Sequence, residues 1–174
     1  SPDLFRYLGQ LAQKYHCPFS CHVAEVQDEV RFLDGGDDSL AKLLKERSAW
    51  DPQWQAPGKT PVQYLDSLDL LDRLIAIHCN FVSADLDVMA EKKVSAVFCP
   101  NSTKWFGRTE FMPVRALLDL GVNVALGTDS RASNDSLNFL DELRMADELL
   151  PDVSRKEILA MATSIGRASC RERV

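Results

Sequence analysis

The chain has 174 residues, 45% hydrophobic and 26% charged, with 20 Lys and Arg against 26 Asp and Glu and a net charge of -6. That length and balance suit one folded domain with its own core, and they argue against disorder and against a nucleic acid polymer as partner. No apolar stretch approaches the ~20 residues that span a bilayer, and Ser1-Pro2-Asp3-Leu4 has neither a basic region nor a signal-type run, so the expectation is a cytoplasmic protein with no membrane partner.

In chain order, Ser1 and Pro2 open a helix in which Leu4, Leu8, Leu11 and Tyr15 recur on one face. A strand is predicted at Pro18 to His22, then a short helix near Glu25 to Leu33, a turn over Asp34 to Asp38 and a helix from Ser39 to Arg47. Trp50 to Gly58, broken by proline and glycine, reads as an irregular excursion. Thr60-Pro61 starts a helix with Val62, Leu65 and Leu68 inward, before a strand at Leu74 to Cys79. A helix over Ala84 to Lys92 leads to a strand at Ser95 to Cys99, stopped by Pro100. Another helix, through Val114 and Leu117, ends at Gly121 and is followed by a strand at Val122 to Leu126. Ser136 to Glu148 is helical again, and Ser154-Arg155-Lys156-Glu157 is a capping box that opens the last helix.

The fold class is therefore α/β, with four strand-helix units whose strands end near His22, His78, Asn101 and Asp129. Their spacing suits half of a (β/α)8 barrel, a partial TIM barrel of four units. Open edges on such a sheet call for more strands before Ser1 and leave room for a homo-oligomer. The five cysteines, Cys17, Cys21, Cys79, Cys99 and Cys170, include no Cys-x-x-Cys pair and read as free thiols in a reducing compartment.

Three strands deliver polar groups at their carboxyl ends: His22, His78 and, in Gly127-Thr128-Asp129-Ser130, a carboxylate after an apolar run. One such group is usually a satisfied structural residue, whereas three on the face where parallel strands converge point to catalysis or a metal. Imidazole and carboxylate suit zinc or iron, but two protein ligands are too few, so others must come from outside the chain or the site holds no metal. Glu25, three residues after His22, reads either as a glutamate favoured by a helix dipole or as a proton donor, the second requiring burial to raise its pKa.

His22-Val23-Ala24-Glu25, Ile77-His78-Cys79, Cys99-Pro100-Asn101-Ser102 and Gly127-Thr128-Asp129-Ser130-x-Ala132-Ser133-Asn134 occur in the order found in the carboxyl-terminal half of the amidohydrolase superfamily. The chain resembles its chlorohydrolase and aminohydrolase branch, with the cytosine, guanine and S-adenosylhomocysteine deaminases, over Ser1 to Ser164. The resemblance implies a metal-dependent hydrolase that deaminates a purine- or pyrimidine-like ring with metal-activated water, the alternatives being a dehalogenating or an amide-cleaving enzyme. A non-catalytic, truncated or metal-free binding module is the alternative from another class.

By the same resemblance His22 is a metal ligand and Glu25 the acid that protonates the ring. His78 polarises the water or binds substrate, and Asp129 both ligates the metal and takes the water's proton. Asn101, Trp105 and Ser130 line the substrate pocket, with Trp105 in a loop from Asn101 to Arg108 where it could equally be a packed surface aromatic. The implied cofactor is one divalent metal, zinc first and iron second, and the implied partner a small heterocyclic substrate.

The family's His-x-His pair, which supplies two further ligands, has no counterpart here. The remaining histidine, His16, precedes a strand and reads as structural. On this reading the fragment alone is inactive. Ile165 to Val174 resembles a translated sequencing-adapter read-through, and no function is assigned to it.

Overall fold

The computed structural model describes residues 2–36 and 39–164. The segment from Ile165 to Val174, set apart above, lies outside them, as do two residues of the turn at Asp34 to Asp38. Helix α1 (Pro2–Lys14) precedes β1 (Phe19–Val23), α2 (Gln27–Asp34), α3 (Ser39–Glu46) and α4 (Pro61–Asp66). A 3-10 turn at Leu71–Arg73 feeds β2 (Leu74–His78), then come α5 (Leu86–Glu91), β3 (Ser95–Phe98), α6 (Pro100–Trp105), α7 (Val114–Asp119), β4 (Asn123–Leu126), α8 (Phe139–Leu149) and α9 (Arg155–Ala162). The strands form one parallel sheet in the order β1-β2-β3-β4, as expected for consecutive strand-helix units.

Register divides the sheet into two unlike faces. Leu74, Ala76, Ala96, Phe98, Val124 and Leu126 lie on the face covered by helices and are buried with Met89, Leu117, Ile158 and Met161. The opposite face carries Ser20, His22, Ile75, Ile77, Ser95, Val97 and Asn123, which are partly or fully exposed. One face thus holds the core, as apolar strand runs require, while the other is only half covered.

Several boundaries differ from the sequence reading. On α1 the buried residues are Gly9 and Ala12, with Phe5 against the core, whereas Leu4, Leu8 and Tyr15 are exposed at 56%, 37% and 62%. Gly9 sits on the inward face because a Cβ there would meet Leu70 Cδ2 at 2.5 Å, so the small residue sets the close approach. Asn101 to Arg108 is not a loop throughout, since Pro100 starts α6 from its first turn. Helix α8 begins at Phe139, after Asn138 has accepted a hydrogen bond from the Leu140 amide. The capping box predicted at Ser154 and Glu157 forms in full. His16 is exposed with φ of 50° in the turn after α1.

Candidate active site at the carboxyl ends of the strands

Four residues other than glycine adopt positive φ at strand ends: Ala24 (50°) after β1, His78 (74°) and Cys79 (48°) at the end of β2, and Asp129 (55°) after β4. Each such conformation costs of order 1–3 kcal/mol, and clusters of them mark sites where the surrounding structure holds a side chain for a purpose. Here the left-handed turns gather three strand ends around one point. His22 and His78 meet edge to face with ring centroids 4.6 Å apart. His22 Nδ1 lies 3.2 Å from Glu25 Oε2, and His22 Nε2 lies 4.0 Å from Asp129 Oδ1. His78 Nε2 sits between the two carboxylates, 3.7 Å from Glu25 Oε2 and 3.9 Å from Asp129 Oδ2.

His78 is 1% exposed, yet among the described residues neither ring nitrogen has a hydrogen-bond partner. A buried imidazole normally satisfies both, so Nε2, poised between two carboxylates beyond bonding distance, is a group awaiting a partner. Burial, ahead of the charges around it, holds His78 below the usual histidine range and favours the neutral ring. Among the described residues His22, Glu25 and His78 form a group whose ligand atoms lie within 4.8 Å of one another, a set that fits a divalent cation. Asp129 faces this group through both of its oxygens.

Glu25 stands before α2, not in its first turn, which removes the helix-dipole reading. The first-turn carboxylates are Asp28 and Glu29, and the two oxygens of Glu29 accept the Ala24 and Glu25 amides at 2.9 and 3.0 Å and fix the backbone that carries Glu25. Asn80 Nδ2 donates to the Glu25 carbonyl at 3.1 Å, tying it to the segment after β2. Sequence reasoning missed Arg108, whose Nη2 donates to Glu25 Oε1 at 2.7 Å.

That bond reverses one expectation. Burial pushes the Glu25 carboxyl upward, but Arg108, His78 and His22 outweigh it and hold the group below its ordinary value. Glu25 therefore rests as a carboxylate, and a proton that it donates must first be acquired.

Asp129 is also held below its ordinary value. Burial opposes this, and hydrogen bonds from Ser133 and Ser102 together with the two imidazoles prevail. Ser133 Oγ and Ser102 Oγ both donate to Oδ2, at 2.6 and 2.8 Å. Ser133 and Ser102 both stood inside matched motifs, but neither hydroxyl could be assigned to Asp129 from sequence, because their meeting depends on α6 and the turn after β4 coming together. The nearby thiols play no such part, since desolvation pushes half-buried Cys21 up to about 11 and buried Cys99 up to about 12.

The three substrate candidates do not come together. Asn101 and Trp105 line a hollow of about 390 Å³ with Lys104, Asn134, Asp135, Ser136 and Asp141, beside the His22-Glu25-His78-Asp129 cluster and not within it. Trp105 is 50% exposed. Ser130 is exposed, and its hydroxyl accepts the Ala132 amide within its own turn.

Residues 1–170 match the Amidohydrolase family. The 5-methylthioadenosine/S-adenosylhomocysteine deaminase of Pyrococcus furiosus is 34% identical over 172 residues, covering 94% of this chain and 36% of that protein. A zinc-bound adenosine deaminase from Xanthomonas campestris superposes with a TM-score of 0.78 at 30% identity, over 98% of this chain and 36% of the other. The atrazine chlorohydrolase TrzN from Arthrobacter aurescens TC1, complexed with zinc, gives 0.75 at 25% identity, over 99% and 36%. The chain thus spans little more than a third of the length of these relatives. Its parallel sheet with alternating helices is part of a TIM barrel, and the chain belongs to the amidohydrolase family.

Proposed function

We propose that the full-length protein carrying this chain is a metal-dependent aminohydrolase that replaces an amino group on a purine- or pyrimidine-like ring with oxygen. The observation that carries the reading is His78, buried with both ring nitrogens unpartnered between two ionised carboxylates. A single divalent metal, zinc in this proposal and iron as the alternative, would be held by His22 and Asp129 with ligands from outside the chain, and would lower the pKa of water toward about 7.

The chain's own residues divide the remaining work. Neutral His78 offers Nε2 to a water or a substrate oxygen lying between Glu25 and Asp129. Asp129 accepts the proton released as water attacks the ring carbon and the C–O bond forms. Glu25 rests ionised, so it first takes up a proton, which it gives to the ring nitrogen during attack. Asp129 passes the proton that it accepted to the amino group, the C–N bond breaks with loss of ammonia, and the second proton of the added hydroxyl returns to Glu25. Asn101, Trp105 and Ser130 remain candidate substrate contacts, the first two supported by the hollow that they share. A small heterocycle is the proposed substrate, and the deaminases among the relatives favour an adenosine-like one.

No described helix is long and apolar enough to cross a membrane. The proposed cytoplasmic setting draws its support from the free thiols Cys17, Cys21, Cys79 and Cys99.

The likeness to a chlorohydrolase favours dehalogenation as the second reading. Metal analysis of the full-length protein, with ammonia and chloride release measured on 5-methylthioadenosine, S-adenosylhomocysteine, guanine and atrazine, separates the two. One equivalent of metal with ammonia release supports deamination, and chloride release alone supports the second reading. A folded protein that binds no metal and releases neither product overturns both and leaves a non-catalytic module.

A further inference from the structure

The geometry points to Ser102 and Ser133 as positioning residues that decide which oxygen of Asp129 is offered to a metal ion. This inference rests on the reading of Asp129 as a ligand given above. A carboxylate attached through an sp³–sp² torsion rotates over a broad, roughly two-fold profile, so an unrestrained aspartate presents either oxygen or both. In this site Oδ2 receives both serine hydroxyls, at 2.8 and 2.6 Å, while Oδ1 faces His22 Nε2 at 4.0 Å. Two donors on one oxygen stop the rotation and leave the other oxygen's lone pairs for a cation.

The bonds are not incidental to burial. A serine on a short helix can satisfy itself on its own backbone, as Thr103 does by donating to the Cys99 carbonyl at 3.1 Å. Its neighbour Ser102, fully buried on the same helix, reaches across to β4's terminus instead.

The two hydroxyls also come from different segments, Ser102 from α6 and Ser133 from the turn after β4, and one buried group braces those segments together. Glu142 on α8, 0% exposed, accepts the Asn101 amide at 3.1 Å through one oxygen and Asn134 Nδ2 at 2.6 Å through the other. Asn134 Nδ2 also reaches the Thr128 carbonyl at 2.9 Å. The residue before Ser102, the residue after Ser133 and the residue before Asp129 are thus all held to one bracket, which fixes the distance between the hydroxyls and the carboxylate.

The test measures zinc affinity by competition with a chromophoric chelator. It uses the full-length protein carrying Ser102→Ala, Ser133→Ala, both, or Ser133→Thr, each with Asp129 intact and with Asp129→Asn. Thermal unfolding confirms that each variant folds. Partners that orient a ligand typically contribute 10- to 100-fold to metal affinity, so the double alanine variant is expected to bind zinc ~10- to 100-fold more weakly and each single variant less so. Ser133→Thr keeps the hydroxyl and is expected to restore affinity. In the Asp129→Asn background the serine changes should have no further effect, since no carboxylate remains to be oriented.

If Asp129→Asn abolishes binding while the serine variants match the parent, positioning is overturned and the reading of Asp129 stands. If Asp129→Asn itself leaves zinc affinity unchanged, that reading fails. If the serine variants weaken zinc equally in both backgrounds, their role is structural and the inference falls.

Discussion

The two carboxylates of the site are both half-buried and both ionised, yet they are held by opposite means. Glu25 is neutralised by a guanidinium at 2.7 Å, with Arg108 13% and Glu25 22% exposed at the side chain. Asp129, 10% exposed, has two neutral hydroxyls on one oxygen and imidazoles no nearer than 3.9 Å. Hydroxyl dipoles stabilise a charge without cancelling it, whereas an ion pair cancels it. Asp129 therefore keeps a net negative charge in a half-closed site and is suited to receive a cation. Glu25 already has its cation and is suited to pass a proton. Under the proposed function Asp129 combines cation binding with proton acceptance, whereas Glu25 serves proton transfer alone.

The sharpest way to break this contrast is to remove the charge that is not compensated. Asp129→Asn in the full-length protein is expected to lower kcat/KM by 10²- to 10⁴-fold, the range for a general acid-base group, with the metal ligand lost as well. Steady-state ammonia release measures it. A loss of less than about tenfold would show that Asp129 carries neither role.

A smaller effect is expected on the other side. Arg108→Met removes the cation from Glu25 and leaves burial less opposed, so the Glu25 carboxyl rises toward or above its ordinary value. Because the resting enzyme uses the carboxylate, the acid limb of the kcat/KM profile should move to higher pH, with a loss of ~10-fold at neutral pH. The stability contribution has the same sign. A carboxyl depressed in the folded state stabilises above its unfolded pKa, and that contribution is lost as pH falls through the folded value, so the variant should show a weaker acid dependence of Tm. An unmoved acid limb would mean that Arg108 serves only to pack and pair.

The fold was legible because it rests on local regularities. Apolar strand runs, Pro61 at a helix start, Pro100 closing a strand, Gly121 after a helix and the Ser154 capping box each act within a few residues, and the parallel order follows from the spacing of the units. His22, His78 and Asp129 were legible for the same reason, as polar groups closing apolar strands. What stayed hidden acts across distance. Arg108 reaches Glu25 over 83 positions, Ser102 reaches Asp129 over 27 and Glu142 reaches Asn101 over 41. The lowered pKa of Glu25 stayed hidden for this reason, since its counter-ion lies in a distant segment of the chain. The exposed Leu4 and Leu8 illustrate the converse case, in which a periodic apolar face gave the helix but not the side that packs, which Gly9 sets through its close approach to Leu70.

The smallest expected effect tests where substrate binding ends and the Asp129 apparatus begins. Trp105 lines the hollow beside the site and belongs to α6, the helix that also carries Ser102. An aromatic pair is worth ~0.5–1.5 kcal/mol beyond its buried area, so stacking of a substrate ring or its substituent on Trp105 corresponds to roughly 2- to 10-fold in binding. Trp105→Ala should therefore raise KM by that factor and leave kcat unchanged, the pattern of an interaction made equally in ground state and transition state. A fall in kcat at constant KM would mean that Trp105 acts through α6 on Ser102 and thus on Asp129. The hollow would then belong to the positioning machinery, and the contrast between the two carboxylates would extend to the helices that hold them.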